Sequence, residues 1–347
     1  MKKTAEKKTS NKFLWSILSV VIAAATIWAV ISQARAFSLE GFADYFLDAS
    51  MPWLAAAVLC MVGFIVFEGM AVLTICRAFG YRTVRGRGFV YAASDIYFSA
   101  ITPSATGGQP ACAFFMMRDG IPGSVTTLAL ILNLTMYTIS ILCIGLFTLI
   151  LQPEIFMTFG LLSRVLIVAG FIVQCLLTLL FLMLLFKRDV LRRICLPVLH
   201  LLCRIRVLKR EGEWRQRFET YMEEYATYAQ MIRGHMRPML KALIFNLLQR
   251  VSVIAVSVCV FLASGGERIK AAKIWAVQCC AVIGSNTIPI PGAMGVSDYI
   301  MLDGFSKTVQ LRNVVNFELL SRSLSFYACV VICGITTLIA HLIQKKR

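Results

Sequence analysis

The chain has 347 residues, 59% hydrophobic and 15% charged, with a mean hydropathy of +0.76. Soluble domains run at about 45–50% apolar and about 25% charged, so that class is excluded. At about 20 apolar residues per helical span, the length accommodates roughly six to eight spans and leaves no room for a sizeable soluble catalytic domain. Lys and Arg number 35 against 18 Asp and Glu, a net charge of +17. In a membrane protein such an excess belongs in cytoplasmic loops facing anionic headgroups, and nucleic acid is not an expected partner.

Residues 1–12 carry five lysines, and residues 13–32 form a first apolar run. Ala34-Arg35-Ala36 would suit signal-peptide cleavage, but the run exceeds the roughly 7–15 residues of a signal core, so a retained anchor is expected. A second span is expected over 53–75, interrupted by Glu68 and followed by Arg77, Arg82, Arg85 and Arg87. A third is expected over 124–151 and a fourth over 161–186. The polar segment 187–237 then holds twelve Lys or Arg. Within it, 213–232 has aromatic residues at helical spacing, suiting an amphipathic helix on the inner leaflet or one packed on the bundle. Spans over 240–262 and 318–343 complete the set, and the sequence ends in Lys345-Lys346-Arg347.

Two segments do not read as spans. Residues 89–101 make about 20 Å of helix against a hydrocarbon core of about 30 Å. They end in Thr102-Pro103-Ser104-Ala105-Thr106-Gly107-Gly108-Gln109-Pro110, and 111–117 then resumes. Likewise 274–288 breaks at Pro289-Ile290-Pro291-Gly292-Ala293-Met294-Gly295 before 296–302. If 89–117 crossed once, the twelve positive charges of 187–237 would lie outside; a re-entrant hairpin keeps them in the cytoplasm. The same count, resting on the three terminal charges, makes 274–302 a hairpin entering from the outer face. The expected fold is an all-α integral membrane protein of about six full spans and two re-entrant broken-helix hairpins. Its halves, 13–151 and 161–343, form an inverted-topology repeat with both termini cytoplasmic. Paired Gly/Pro breaks of this kind point to a midplane binding site.

At these breaks the sequence resembles the transmembrane region of the lysylphosphatidylglycerol synthase family, the flippase-like part of the multiple peptide resistance factor. The residues that carry the resemblance are Thr102-Pro103-Ser104 with Gly107-Gly108-Gln109-Pro110, and Ile288 to Asp298. The resemblance implies a bacterial cytoplasmic-membrane protein that translocates phospholipid between leaflets. In full-length members this region precedes a soluble domain that transfers lysine from tRNA to phosphatidylglycerol; the present sequence ends at Arg347, so lysyl transfer would require a separate synthase chain. Where the family's first motif has Glu and a following Arg, this chain has Gln109 and Cys112, and where the second ends in Glu it has Asp298.

Ionisable residues inside a membrane are costly and default to functional hypotheses. Glu68 and Arg250 are expected to pair, either as a structural lock or around substrate. Asp95 lies in the first half-helix, and Asp298 follows the second break, where Ser297 is placed to cap a new helix. The helices restarting after Gly107, Gly108 and Gln109, and after Pro291, Gly292 and Gly295, would direct free N–H groups at a lipid phosphate, with Arg250 adding a charge-assisted bond. Glu68, Asp95 and Asp298 would meet a cationic amine, so a zwitterionic or aminoacylated lipid is expected over plain phosphatidylglycerol. Arg164 and Arg322 are expected to snorkel to the outer interface. No catalytic nucleophile, metal site or cofactor is expected: the three His are scattered, and neither a Cys-x-x-Cys pair nor a P-loop occurs. A homo-oligomer and a non-transporting scaffold acting through 187–237 stay open.

Overall fold

The computed structural model describes residues 45–82, 85–102, 105–187, 232–286, 295–308 and 314–345, with a few positions between 193 and 227. Among them the chain is helical, with no strand. In chain order the helices are α1 (Met51–Ala78), α2 (Arg85–Ile101), α3 (Gly108–Arg118), α4 (Gly123–Leu151), a short α5 (Pro153–Thr158), α6 (Leu161–Phe186), α7 (Met236–Ala263), α8 (Ala271–Ser285), α9 (Val296–Thr308) and α10 (Val314–Arg322), which runs through a π-helical turn (Ser323–Ala328) into α11 (Cys329–Lys345). Among the described residues, five helices are long and apolar enough to cross a bilayer: α1, α4, α6, α7 and the continuous α10–α11. The protein is therefore an all-α membrane protein. The expected first span, 13–32, lies outside the described residues.

Apart from the short α5, the remaining helices come in two pairs, each helix too short to cross. By rise per residue α2 and α3 measure about 25 and 16 Å, and α8 and α9 about 22 and 20 Å. Each pair is antiparallel. At the base of the first, Arg87 forms an ion pair with Asp119, and the Tyr91 hydroxyl donates to the same carboxylate at 2.6 Å. Near its tip, Gln109 of α3 donates to Asp95 of α2 at 2.9 Å. In the second pair, Gly284 packs on Ile300 and Gly304 on Val277. The first break is narrower than the sequence suggested, whereas α8 ends at Ser285, three residues before the expected edge of the second. Helix α3 begins at Gly108 and takes Pro110 into its first turn, where a missing N–H costs nothing; α2 starts four residues before the expected apolar stretch.

The frame is the pair α1 and α7, the most extensively packed helices in the bundle. They run antiparallel: Ser50 N–H donates to Ala263 C=O at 2.7 Å, and Gln249 meets Glu68 in mid-membrane. The first hairpin opens where α1 ends, and its α2 crosses α1 backbone to backbone, so that a Cβ on Gly69 would collide with the Gly88 carbonyl. The second opens where α7 ends, with Ser257 of α7 donating to Gln278 of α8 at 3.0 Å. The C-terminal end of α1 is the N-terminal end of α7, so the two hairpins enter from opposite ends of the bundle. The end that receives the first collects Arg77, Arg85, Arg87, Arg118, Lys187 and Arg237.

The ends of both hairpins are tied down by an aspartate. Asp303 of α9 accepts from the Gly160 N–H at 2.8 Å and the Ser163 hydroxyl at 2.6 Å, and pairs with Lys307. It thus caps α6 from another helix. Of the segment 213–232, residues 219–224 and 227 are described, and they pack on the start of α4: Tyr221 donates to Gly123 C=O at 2.5 Å, and Ser124 donates to Glu224 at 2.7 Å. That part of the segment belongs to the bundle.

Candidate functional site

Apolar helices supply few polar side chains, and those present converge where α1, α4 and α7 meet. Glu68 is 4% exposed. One of its carboxylate oxygens accepts Asn133 Nδ2 at 2.8 Å and the other Gln249 Nε2 at 2.5 Å. Asn246 donates to Asn133 Oδ1 at 3.0 Å. Both oxygens face N–H donors, the arrangement that suits a carboxylate acting as acceptor only. Helical geometry sets this up, because Asn246 and Gln249 are three residues apart and share one face of α7.

Glu68 and Arg250 do not form a direct ion pair, one of the two arrangements the sequence leaves open. Gln249 stands between them, accepting from Arg250 Nε at 3.0 Å with the same amide that donates to Glu68. The reason is angular: adjacent residues of a helix point about 100° apart, so Gln249 faces α1 while Arg250 turns toward α4. There the guanidinium lies over the rings of Tyr137 at 4.5 Å and Phe64 at 5.2 Å, an arrangement that stabilises a buried cation. It also donates to the Tyr137 hydroxyl at 3.4 Å. Tyr137 donates in turn to Asn286 Oδ1 at 2.8 Å, and Asn286 to Gln174 Oε1 at 3.2 Å. The chain of contacts therefore runs from α1 to the tip of the second hairpin and on to α6. Arg250 also borders a shallow apolar cleft between α4, α7 and α8, with side chains such as Ile141, Ile254 and Val282.

At the first hairpin tip, the Gly107 N–H donates to Thr102 Oγ1 at 2.9 Å. Asp95, which also accepts from Ser99 at 3.2 Å, lies against the first turn of α3 so closely that any Cβ on Gly108 would strike its carboxylate and carbonyl. Gly107 thus caps α3 while Gly108 and Gln109 lie inside its first turn, and the N-terminus of α3 faces a carboxylate. Asp95 is within electrostatic reach of Glu68.

In the second hairpin, Pro291 and Gly292 lie outside the described residues. Gly295 has φ +80°, a region that side-chain-bearing residues avoid, and Asp298 accepts its N–H at 2.8 Å. Ser297 does not cap the helix, because α9 begins at Val296, two residues earlier than that role requires; its hydroxyl contacts Met301 sulfur at 3.8 Å. Asp298 also pairs with Arg322 of α10 at 2.7 Å. Arg322 is 9% exposed and stacks over Phe326 at 5.0 Å; it does not snorkel. Arg164 turns back to the carbonyls of Phe159 and Met157 at 2.8 and 2.6 Å, closing the end of α5.

The sequence offers Gln249, with Asn133, Asn246 and Asn286, as an intramembrane amide able to hydrogen-bond across helices, and all four do so; it missed Tyr137 as the partner of Arg250, and Glu318. Tyr137 carried only a weak signal, its position on the helix that faces Arg250. Comparison with curated proteins gives no match. The profile of the family described as "Lysylphosphatidylglycerol synthase TM region" matches residues 16–333, nearly the whole chain, and the chain belongs to that family.

Proposed function

We propose that this protein moves a phospholipid headgroup between leaflets of the bacterial cytoplasmic membrane. The observation that carries the reading is Arg250, a buried cation held by Gln249 and Tyr137 beside an apolar cleft. A guanidinium so placed suits a phosphate oxygen, while the apolar wall suits acyl chains. Asp95 and Glu68 supply negative charge on the side of the first hairpin for a headgroup amine, which favours a zwitterionic or aminoacylated lipid. The N-terminus of α3, already faced by Asp95, is a weaker phosphate site than Arg250.

The contact pattern supports an inverted repeat as the moving part. Besides its contacts with α6 and α5, helix α4 packs on α1, α7, α8 and α3, and the last span packs on α7, α1, α2 and α9. Exchanging α1 with α7 and one hairpin with the other converts the first set into the second, as alternating access around a fixed site requires. The positive-inside rule favours the cytoplasm for the Arg-rich end and for the end of the last span, and the five lysines of residues 1–12 favour it for the N-terminus.

The test is a leaflet-resolved assay in reconstituted vesicles, with phosphatidylglycerol, phosphatidylethanolamine and lysyl-phosphatidylglycerol as separate cargoes. A charge-assisted bond is worth about 1.5–3 kcal/mol, so Arg250→Gln should slow movement of the preferred lipid roughly 10- to 150-fold while the protein still melts cooperatively. An unchanged rate overturns the reading. The family description also names a synthase; formation of lysyl lipid from lysyl-tRNA and phosphatidylglycerol by the purified chain would favour that activity instead.

A further inference from the structure

Glu318 lies on α10 one turn before Arg322, directly ahead of the π-helical turn, and is 3% exposed. Its Oε1 has no hydrogen-bond partner, and neither does the fully buried Ser321 hydroxyl three residues on. The titratable or charged groups facing it are Asp298 from α9, Arg322 from its own helix and Tyr327 from the π turn. The neighbouring part of α7 contributes Phe261, packed on Phe317 at 6.0 Å between ring centroids. Arg322 directs its Nε to Asp298 at 2.7 Å, and Glu318 has no cation within ion-pair distance among the described residues.

We propose that Glu318 and Asp298 form a proton-binding site, one proton being held between the two carboxyl groups, and that this proton is the coupling ion of the transporter. A buried carboxylate beside a second carboxylate and without its own cation is costly as an ion. One added proton removes the repulsion and turns an orphaned acceptor into a donor. The site joins the second hairpin to the last span, because Asp298 belongs to α9 and Glu318 and Arg322 to α10. When the proton leaves to water, two carboxylates compete for Arg322 and the tie between hairpin and span loosens. Interrupted helices that place ionisable groups beside irregular backbone are a recurring setting for coupling ions. The coupling role rests on the translocation reading; the proton site does not.

Infrared difference spectra of the purified protein in nanodiscs, recorded across a pH titration, test the site. The wild type should show a carboxylic-acid C=O band that both Glu318→Gln and Asp298→Asn remove, each variant melting cooperatively. A band retained in both variants overturns the proposal. So does a wild type without a variant-sensitive band that is instead stabilised by Na⁺ in a Glu318-dependent way, which assigns the site to a metal cation. Coupling is read in vesicles carrying an imposed pH gradient. The wild-type lipid rate should change several-fold with the gradient, and the Glu318→Gln rate should ignore it. A wild-type rate indifferent to the gradient overturns the coupling role. Vesicles in which no lipid moves refute the translocation reading and with it the coupling role, while the infrared band still decides the proton site.

Discussion

Replacing Gln249 with Met removes the amide that joins the anion of α1 to the cation of α7 while keeping nearly the same side-chain volume. Two contacts vanish, the 2.5 Å bond to Glu68 and the 3.0 Å bond from Arg250 Nε. Hydrogen bonds to charged groups contribute about 1.5–3 kcal/mol each in soluble proteins, which sets an upper bound of about 6 kcal/mol. Hydrogen bonds between membrane helices average only about 0.6 kcal/mol, because the unfolded chain in the membrane also finds partners. Here both partners are ionic and buried, and Asn133 and the Tyr137 hydroxyl, at 2.8 and 3.4 Å, would be the hydrogen-bond partners left to them. A loss of about 2–4 kcal/mol is therefore expected from Gln249→Met in reversible unfolding in mixed micelles. Glu68→Gln provides the second arm of a double-mutant cycle. Because Gln249 acts through Glu68, the double variant should lose less than the sum of the singles by about 1–2 kcal/mol. A Gln249→Met cost below about 0.6 kcal/mol, or additivity within about 0.5 kcal/mol, refutes the network as a unit.

Two further predictions test how the hairpins are seated. Gly69→Ala pushes a methyl group into the Gly88 carbonyl and should cost about 1–3 kcal/mol in the same unfolding assay, whereas Gly86→Ala, with open space around its Cβ position, should be neutral or slightly stabilising. Asp303→Ala leaves the Gly160 N–H and the Ser163 hydroxyl without their acceptor, costing about 1–2 kcal/mol and speeding amide exchange across 160–164; unchanged exchange there would remove its capping role.

Sequence legibility followed how local each cause was. The short helix pairs were readable because Pro and Gly interrupt an apolar run at a fixed place, and a helix too short to cross leaves few topologies open. The charge count of 187–237 argued for a hairpin rather than a broken span at 89–117, and the antiparallel contacts of Arg87 with Asp119 and Gln109 with Asp95 agree with that choice. Helix ends were less legible. Apolar windows place the last span from 318, which turns Glu318 and Arg322 into interface residues, whereas the helix starts at Val314 and carries both inside the bundle.

That four-residue difference changes the chemistry assigned to the second half. With Arg322 at an interface, Asp298 would be a lone intramembrane acid waiting for a cationic headgroup. With Arg322 buried against it, the resting site already holds its countercharge, and the surplus acid is Glu318. The two halves then divide the work. In the first, Glu68 has both oxygens occupied by amide donors, so it can hold a fixed negative charge that anchors Gln249 and, through it, Arg250. In the second, Glu318 has an oxygen with no donor, so its charge is the one most readily gained or lost. A fixed charge orients a substrate-facing cation, and a variable one supplies the driving step. Exchanging the two properties is the sharpest way to separate them: Glu68→Gln should abolish lipid selectivity while leaving the response to a pH gradient, and Glu318→Gln should do the reverse. Vesicle assays in which both substitutions abolish both properties equally would show instead that the buried charges act as one structural unit.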